Sequence, residues 1–181
     1  PWCDLAMSAA SGGTRYYYAV GGGNGGQIWR SDNRGQTWTQ LTPGLSGNFQ
    51  DSLAIACSPT NPEVVYLMSP TDRIVLKSTN HGATWTNITN GFGSQTQFGA
   101  IAVSRHNSNV VFAALGSGYW HLGNLTNEGV WRSTDQGATW TNLPLGIGLN
   151  DETFNVTTHP SNTNVLYAGI ADALGGQPRV L

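Results

Sequence analysis

One octet recurs three times along the chain: Ser31-Asp-Asn-Arg-Gly-Gln-Thr-Trp38, Ser78-Thr-Asn-His-Gly-Ala-Thr-Trp85 and Ser133-Thr-Asp-Gln-Gly-Ala-Thr-Trp140. The shared pattern is S-x-[DN]-x-G-x-T-W, followed each time by Thr. An ordered repeat of this kind constrains the fold strongly, because each copy must be one unit of a larger array. A second repeat lies between the octets, in Ser58 to Tyr66, Ser104 to Phe112 and His159 to Tyr167, and Ser8 to Tyr16 falls in the same register. Its start points, 8, 58, 104 and 159, are spaced by 50, 46 and 55 residues, so the unit is about fifty residues long.

Each unit reads as four short strands, A to D. In the second unit Leu53–Cys57 alternates, Val64–Ser69 is β-branched and aromatic, Ile74–Ser78 follows a Pro-Thr-Asp turn, and Thr84–Thr89 follows the octet. The octet is therefore the C–D hairpin turn. Its Asn or Asp caps backbone NH groups, its Gly takes positive φ, and its Trp packs the turn onto the sheet. Four antiparallel strands per fifty residues is the arithmetic of a β-propeller blade. The expected fold is all-β, with blade 1 at about 1–47, blade 2 at 48–94, blade 3 at 95–149 and half a blade at 150–181. About 3.5 blades is half of a seven-bladed ring. The other half would come from the same longer chain or from a second copy.

Composition agrees. Gly, Ser, Thr and Asn make up 73 of 181 residues, Lys77 is the single lysine, and only 10% of residues are charged, against about 25% in ordinary domains. A net charge of −2 gives no basic footprint for nucleic acid, and no apolar run is long enough to span a bilayer. The low charge and polar turn residues point to an extracellular or secreted protein. Cys3 and Cys57 are too few for a disulfide scaffold or a zinc site, and no metal or cofactor is expected. Cys3 aligns with Leu53, four residues from Cys57, about 13 Å along a strand, too far for a disulfide.

The octets resemble the Asp-box, or BNR, repeat, and the whole chain is similar to Asp-box β-propellers such as sialidases, xyloglucanase-type glycoside hydrolases, sortilin-type receptor ectodomains and a photosystem assembly factor. The segment Asn61-Pro-Glu-Val-Val-Tyr66 resembles the xyloglucanase and assembly-factor branches. The family's box residues map onto Ser31, Asn33, Gly35 and Trp38, onto Ser78, Asn80, Gly82 and Trp85, and onto Ser133, Asp135, Gly137 and Trp140. Two copies depart from the pattern by carrying Asn where the name-giving Asp stands. Asn caps such a turn nearly as well.

The resemblance implies that the ligand face carries the D–A and B–C loops, with the boxes on the opposite face, so Asp32, His81 and Asp135 are expected to be turn residues. The D–A loops are read as 43–52, 90–97 and 145–153, and the B–C loops as 21–26, 70–73, 116–128 and 171–178. They hold Asp51, Asp72, Glu128, Asp151, Glu152 and Asp172, six of the ten carboxylates. A glycosidase needs an acid and a base about 5–10 Å apart across one bond, although loops also collect polar residues without chemistry. Asp51 and Glu152 stand at equivalent strand entrances and, with Asp151, are the catalytic candidates. No local motif transfers a catalytic role to them. Asp72 and the loop residues Tyr119, Trp120 and His121 are the ligand-binding candidates, since exposed aromatic faces stack on sugars. The other reading of Trp120 is that it covers a blade edge. The resemblance also implies that a sialidase would need three arginines, a Tyr nucleophile and an arginine motif near the N-terminus. Arg30 and Arg132 precede boxes, Arg15 lies on a B strand, and only Arg73 is near the mouth. Gly21–Gly26 lacks the Lys-Ser/Thr and the helix of a phosphate loop and reads as a plain hairpin loop. The expected function is carbohydrate-active, binding or hydrolysing a polysaccharide or other glycan. The alternative is a non-catalytic module for protein binding, assembly or surface structure.

Overall fold

The computed structural model describes residues 3–21, 23–24, 27–45, 48–49, 53–70, 72–92, 97–116, 129–143, 151–172 and 179–180. Every regular element among them is a strand. In chain order these are β1 (Cys3–Met7), β2 (Tyr17–Gly21), β3 (Gly23–Asn24), β4 (Gln27–Ser31), β5 (Thr39–Leu41), β6 (Asn48–Phe49), β7 (Ala54–Cys57), β8 (Val65–Ser69), β9 (Ile74–Ser78) and β10 (Thr86–Asn87). The remainder are β11 (Gln97–Val103), β12 (Val111–Gly116), β13 (Gly129–Ser133), β14 (Thr141–Asn142), β15 (Asp151–Thr158), β16 (Leu166–Asp172) and β17 (Arg179–Val180). They form three four-stranded antiparallel sheets, β1-β2-β4-β5, β7-β8-β9-β10 and β11-β12-β13-β14, then a three-stranded sheet β15-β16-β17 and a two-stranded ladder β3-β6. The protein is a partial β-propeller of four-stranded blades, as the repeat arithmetic requires. The outermost strand is shorter than the sequence implies. β10 covers only Thr86–Asn87, because the amide of Thr84 is taken by the octet turn, where it donates to Asn80 Oδ1 at 2.8 Å.

The chain divides into two compact units, Pro1–Ile88 and Thr89–Leu181. In the first, one face of the β1 sheet, carrying Ala6, Tyr18, Val20, Ile28 and Leu41, packs against Leu53, Ile55, Val65, Leu67 and Leu76 of the next sheet. In the second unit, Phe112, Ala114 and Val130 pack in the same way on Val156 and Ala168. Each fully buried aliphatic side chain stabilises by roughly 1.5–3 kcal/mol. Following the ladder registers out from the boxes gives every sheet a front face, occupied by Ile55, Ile101 and Val156, and a back face, occupied by Tyr18, Tyr66, Phe112 and Tyr167. In both units it is the back of one sheet that meets the front of the next.

Two polar contacts tie the sheets of the first unit together. Asp4 Oδ2 accepts a hydrogen bond from the Ile55 amide at 3.0 Å, and Arg30 Nη1 donates to the His81 carbonyl at 2.9 Å. Tyr16 stacks on the His81 ring at 4.1 Å between centroids, with the Arg30 guanidinium 5.5 Å from the Tyr16 ring. Cys57 is a free thiol.

Candidate functional site

The three octets close equivalent turns. Ser31 Oγ accepts from the amides of Asn33 and Gly35 at 3.3 and 2.9 Å and donates to Asn33 Oδ1 at 2.9 Å. Asn33 Oδ1 in turn accepts from the Thr37 amide at 2.9 Å. Ser78 with Asn80, and Ser133 with Asp135, repeat this pattern. The Asn and Asp versions differ in one bond. Asn33 and Asn80 donate through Nδ2 to the hydroxyls of Thr37 and Thr84, whereas the Thr139 hydroxyl donates to Asp135 Oδ2 at 2.6 Å. These bonds to both oxygens hold the Asp135 carboxyl down at about 2. The glycine is not alone at positive φ. Arg34, His81 and Gln136, one residue earlier, sit at 61°, 58° and 61°, a strained choice for a side chain that the hydrogen bonds of the turn sustain.

The turn also latches onto the A–B connection of its own sheet. The His81 amide donates to the Glu63 carbonyl and the Gln136 amide to the Asn109 carbonyl, both at 2.9 Å. Gln136 Nε2 adds a bond to Asn109 Oδ1 at 2.8 Å. The second repeat is the cap of that connection. Asn61, Asn107 and Asn162 each accept, through Oδ1, from the amide two residues on. Boxes and A–B turns thus share one end of each blade, and the box side chains are occupied in holding it. His81, Asn33, Asn80 and Asp135 are turn residues.

The opposite end of each sheet is the one from which the D–A and B–C connections leave. Gly23–Asn24, expected to be part of a plain hairpin loop, instead pairs with Asn48–Phe49 of the following D–A connection. The loop expected over 145–153 also ends early. β15 starts at Asp151, so Asp151 and Glu152 are strand residues, and Asp172, read as part of a loop, is the last residue of β16. Asp151 stands opposite Asp172 in the ladder, and Glu152 opposite Ala171. Backbone pairing outweighs the low strand preference of these acidic residues. Asp72 is half-buried in the β8–β9 turn, where its Oδ2 accepts from Ser69 Oγ at 2.7 Å, so part of its capacity serves to cap the turn. Asp51, Tyr119, Trp120, His121 and Glu128 lie outside the described residues. Asp4, whose carboxylate bridges two sheets, escaped the sequence reading, since nothing around it marks it as different from other strand residues.

Elsewhere the titratable groups are tuned by burial. It pushes the Cys57 thiol up to about 12 and raises the Tyr18 and Tyr66 hydroxyls well above their usual range, so these groups stay neutral. Among the described residues no cluster of three or more His, Cys, Asp or Glu side chains is arranged to hold a metal ion. Nor, among the described residues, is any helix long and apolar enough to cross a membrane.

Sheets of this construction, latched at one end by repeated turns, define a β-propeller. The family model for Sortilin-Vps10, described as sortilin, neurotensin receptor 3, matches residues 26–147, well over half of the chain, and the chain belongs to this family. It is 33% identical over 82 residues to a xyloglucanase of Hypocrea jecorina (strain QM6a), an alignment covering 42% of this chain and 10% of that protein. Its fold is that of the GH74 xyloglucanase of Xanthomonas campestris, with a TM-score of 0.70, 16% identity and 97% of this chain covered against 28% of that one. The GH74 enzyme of Niastella koreensis superposes with a TM-score of 0.66 at 22% identity, over 97% of this chain and 27% of the other.

Proposed function

We propose that this chain is part of an extracellular, carbohydrate-active propeller that binds a β-linked glucan at the end of the blades opposite the boxes. The observation that carries the reading is the relationship to the Hypocrea jecorina xyloglucanase, 33% identical over 82 residues. Two features support the choice of end. The box end is committed to its own hydrogen bonds, while Asp72, Asp151, Glu152 and Asp172 belong to the other. Hydrolysis requires an acid and a base across one bond, and Asp51, Asp151 and Glu152 are the residues proposed for it. Tyr119, Trp120 and His121 would supply the stacking surface.

The test is native gel electrophoresis with and without xyloglucan in the gel. The wild-type chain should be retarded by the polysaccharide, and Trp120→Ala should weaken that retardation about tenfold, the equivalent of about 1.4 kcal/mol. Equal mobility in both gels would remove the glucan reading. A second reading, a propeller that binds protein without catalysis, is favoured by the family itself, which is named for a receptor. Reducing-sugar release from glucans, set beside capture of protein partners on the immobilised chain, separates the two.

A further inference from the structure

Among the described residues, four that are not glycine hold a positive φ. Arg34, His81 and Gln136 occupy the same position in the three box turns, where the repeated hydrogen bonds sustain it. The fourth, Arg73 at 55°, lies at the opposite end of its sheet, in the turn from β8 to β9. No repeat imposes its residue type, because the other B–C connections differ in length and sequence. A left-handed backbone suits glycine and disfavours any residue with a Cβ. The Arg73 side chain is exposed, so core packing does not account for the choice either. Strain of this kind, kept where the side chain meets solvent, points to a use for the side chain.

The turn holds that side chain in place. Pro70 is buried and its ring fixes its φ, and its carbonyl accepts from the Arg73 amide at 3.2 Å. The hydroxyl of the buried Ser69 accepts from the Asp72 amide at 3.3 Å and donates to Asp72 Oδ2 at 2.7 Å. Ile74 then starts β9 opposite Ser69, so Arg73 stands one residue from a strand on a short, braced connection. Chemically it complements the carboxylate beside it. A carboxylate only accepts hydrogen bonds, whereas every sugar hydroxyl has an oxygen that accepts as well as a proton to give. The guanidinium supplies donors alone, in a planar fork suited to two adjacent oxygens.

We propose that Arg73 is a sugar-binding residue of the glucan site, donating to adjacent hydroxyl oxygens of one ring beside the Asp72 carboxylate, and that its left-handed backbone is retained for that purpose. The assignment rests on the glucan reading above and adds to it the group that supplies hydrogen-bond donors. Affinity and stability measured together in Arg73→Gly and Arg73→Lys test it. Glycine should relax the backbone and raise the thermal midpoint by about 1–3 °C, while weakening retardation by xyloglucan in a native gel at least about fivefold. Lysine keeps the charge and the strained backbone but loses the fork, so its midpoint should match wild type while its retardation falls as well. A merely structural residue would move stability and binding in the same direction. Wild-type retardation in either variant, or a lowered midpoint in Arg73→Gly, would overturn the assignment and leave the glucan reading in place. A wild-type chain that xyloglucan does not retard would remove both.

Discussion

At the scale of single residues, the box turn is a device in which one hydroxyl and one side-chain oxygen satisfy three or four amides. The Asp135 copy carries a charge that its Asn counterparts lack, and this has a pH signature. Its carboxyl is held at about 2 against an ordinary 3.8. A depressed folded value stabilises the protein above the ordinary value and loses that contribution as pH falls towards 2. Asp135→Asn should therefore keep the turn, as Asn33 and Asn80 do, and flatten the dependence of the thermal midpoint on pH between about 4 and 2 relative to wild type. An unchanged slope would mean that the carboxylate is not specifically held. The glycines offer a paired test. Gly35 and Gly82 have φ of 84° and 82°, but a Cβ at Gly82 would come within 2.6 Å of Leu41 Cδ1, whereas at Gly35 the nearest atom is on Trp38 at 3.6 Å. Gly35→Ala should cost about 1 kcal/mol from backbone strain, and Gly82→Ala distinctly more, as read by urea denaturation. Equal costs would indicate that Leu41 yields freely.

At the scale of elements, the same strand position has different consequences according to what covers it. Phe112→Ala on the buried back of its sheet should lose about 3–5 kcal/mol, and Tyr167→Ala at the equivalent exposed position less than about 0.5 kcal/mol. Comparable losses in chemical denaturation would contradict the register. The legibility of the chain follows a similar division. The octets and the Asn caps were readable because local hydrogen bonding forces particular residues to particular spacings. The strand entrances at Asp151 and Asp172 were not, because pairing across the ladder draws acidic residues into strands that their own preference would not build. Arg30 reaching the His81 carbonyl and Asp4 reaching the Ile55 amide span 51 positions of sequence each, and no local pattern announces such contacts. The positive φ at Arg34, His81 and Gln136 was hidden for another reason: the residue types there differ in every copy.

At the scale of the whole molecule, the low charge content follows from construction by repetition, in which sheet packs on sheet within each unit and polar residues are left to turns. It also explains why chemistry has so few places to reside. One end of each blade is spent on latches, and the other holds the acidic positions and the connections on which the proposed function depends. The most direct measurement is amide chemical-shift mapping of the isotopically labelled chain during titration with a xyloglucan oligosaccharide. The account predicts saturable shifts at Asp72 and Arg73, at Gly23 and Asn24 with Asn48 and Phe49, and at Glu152 and Ala171, while the amides of the three boxes stay still. Shifts concentrated on Gly35, Gly82 and Gly137, or none at any concentration of sugar, would contradict it.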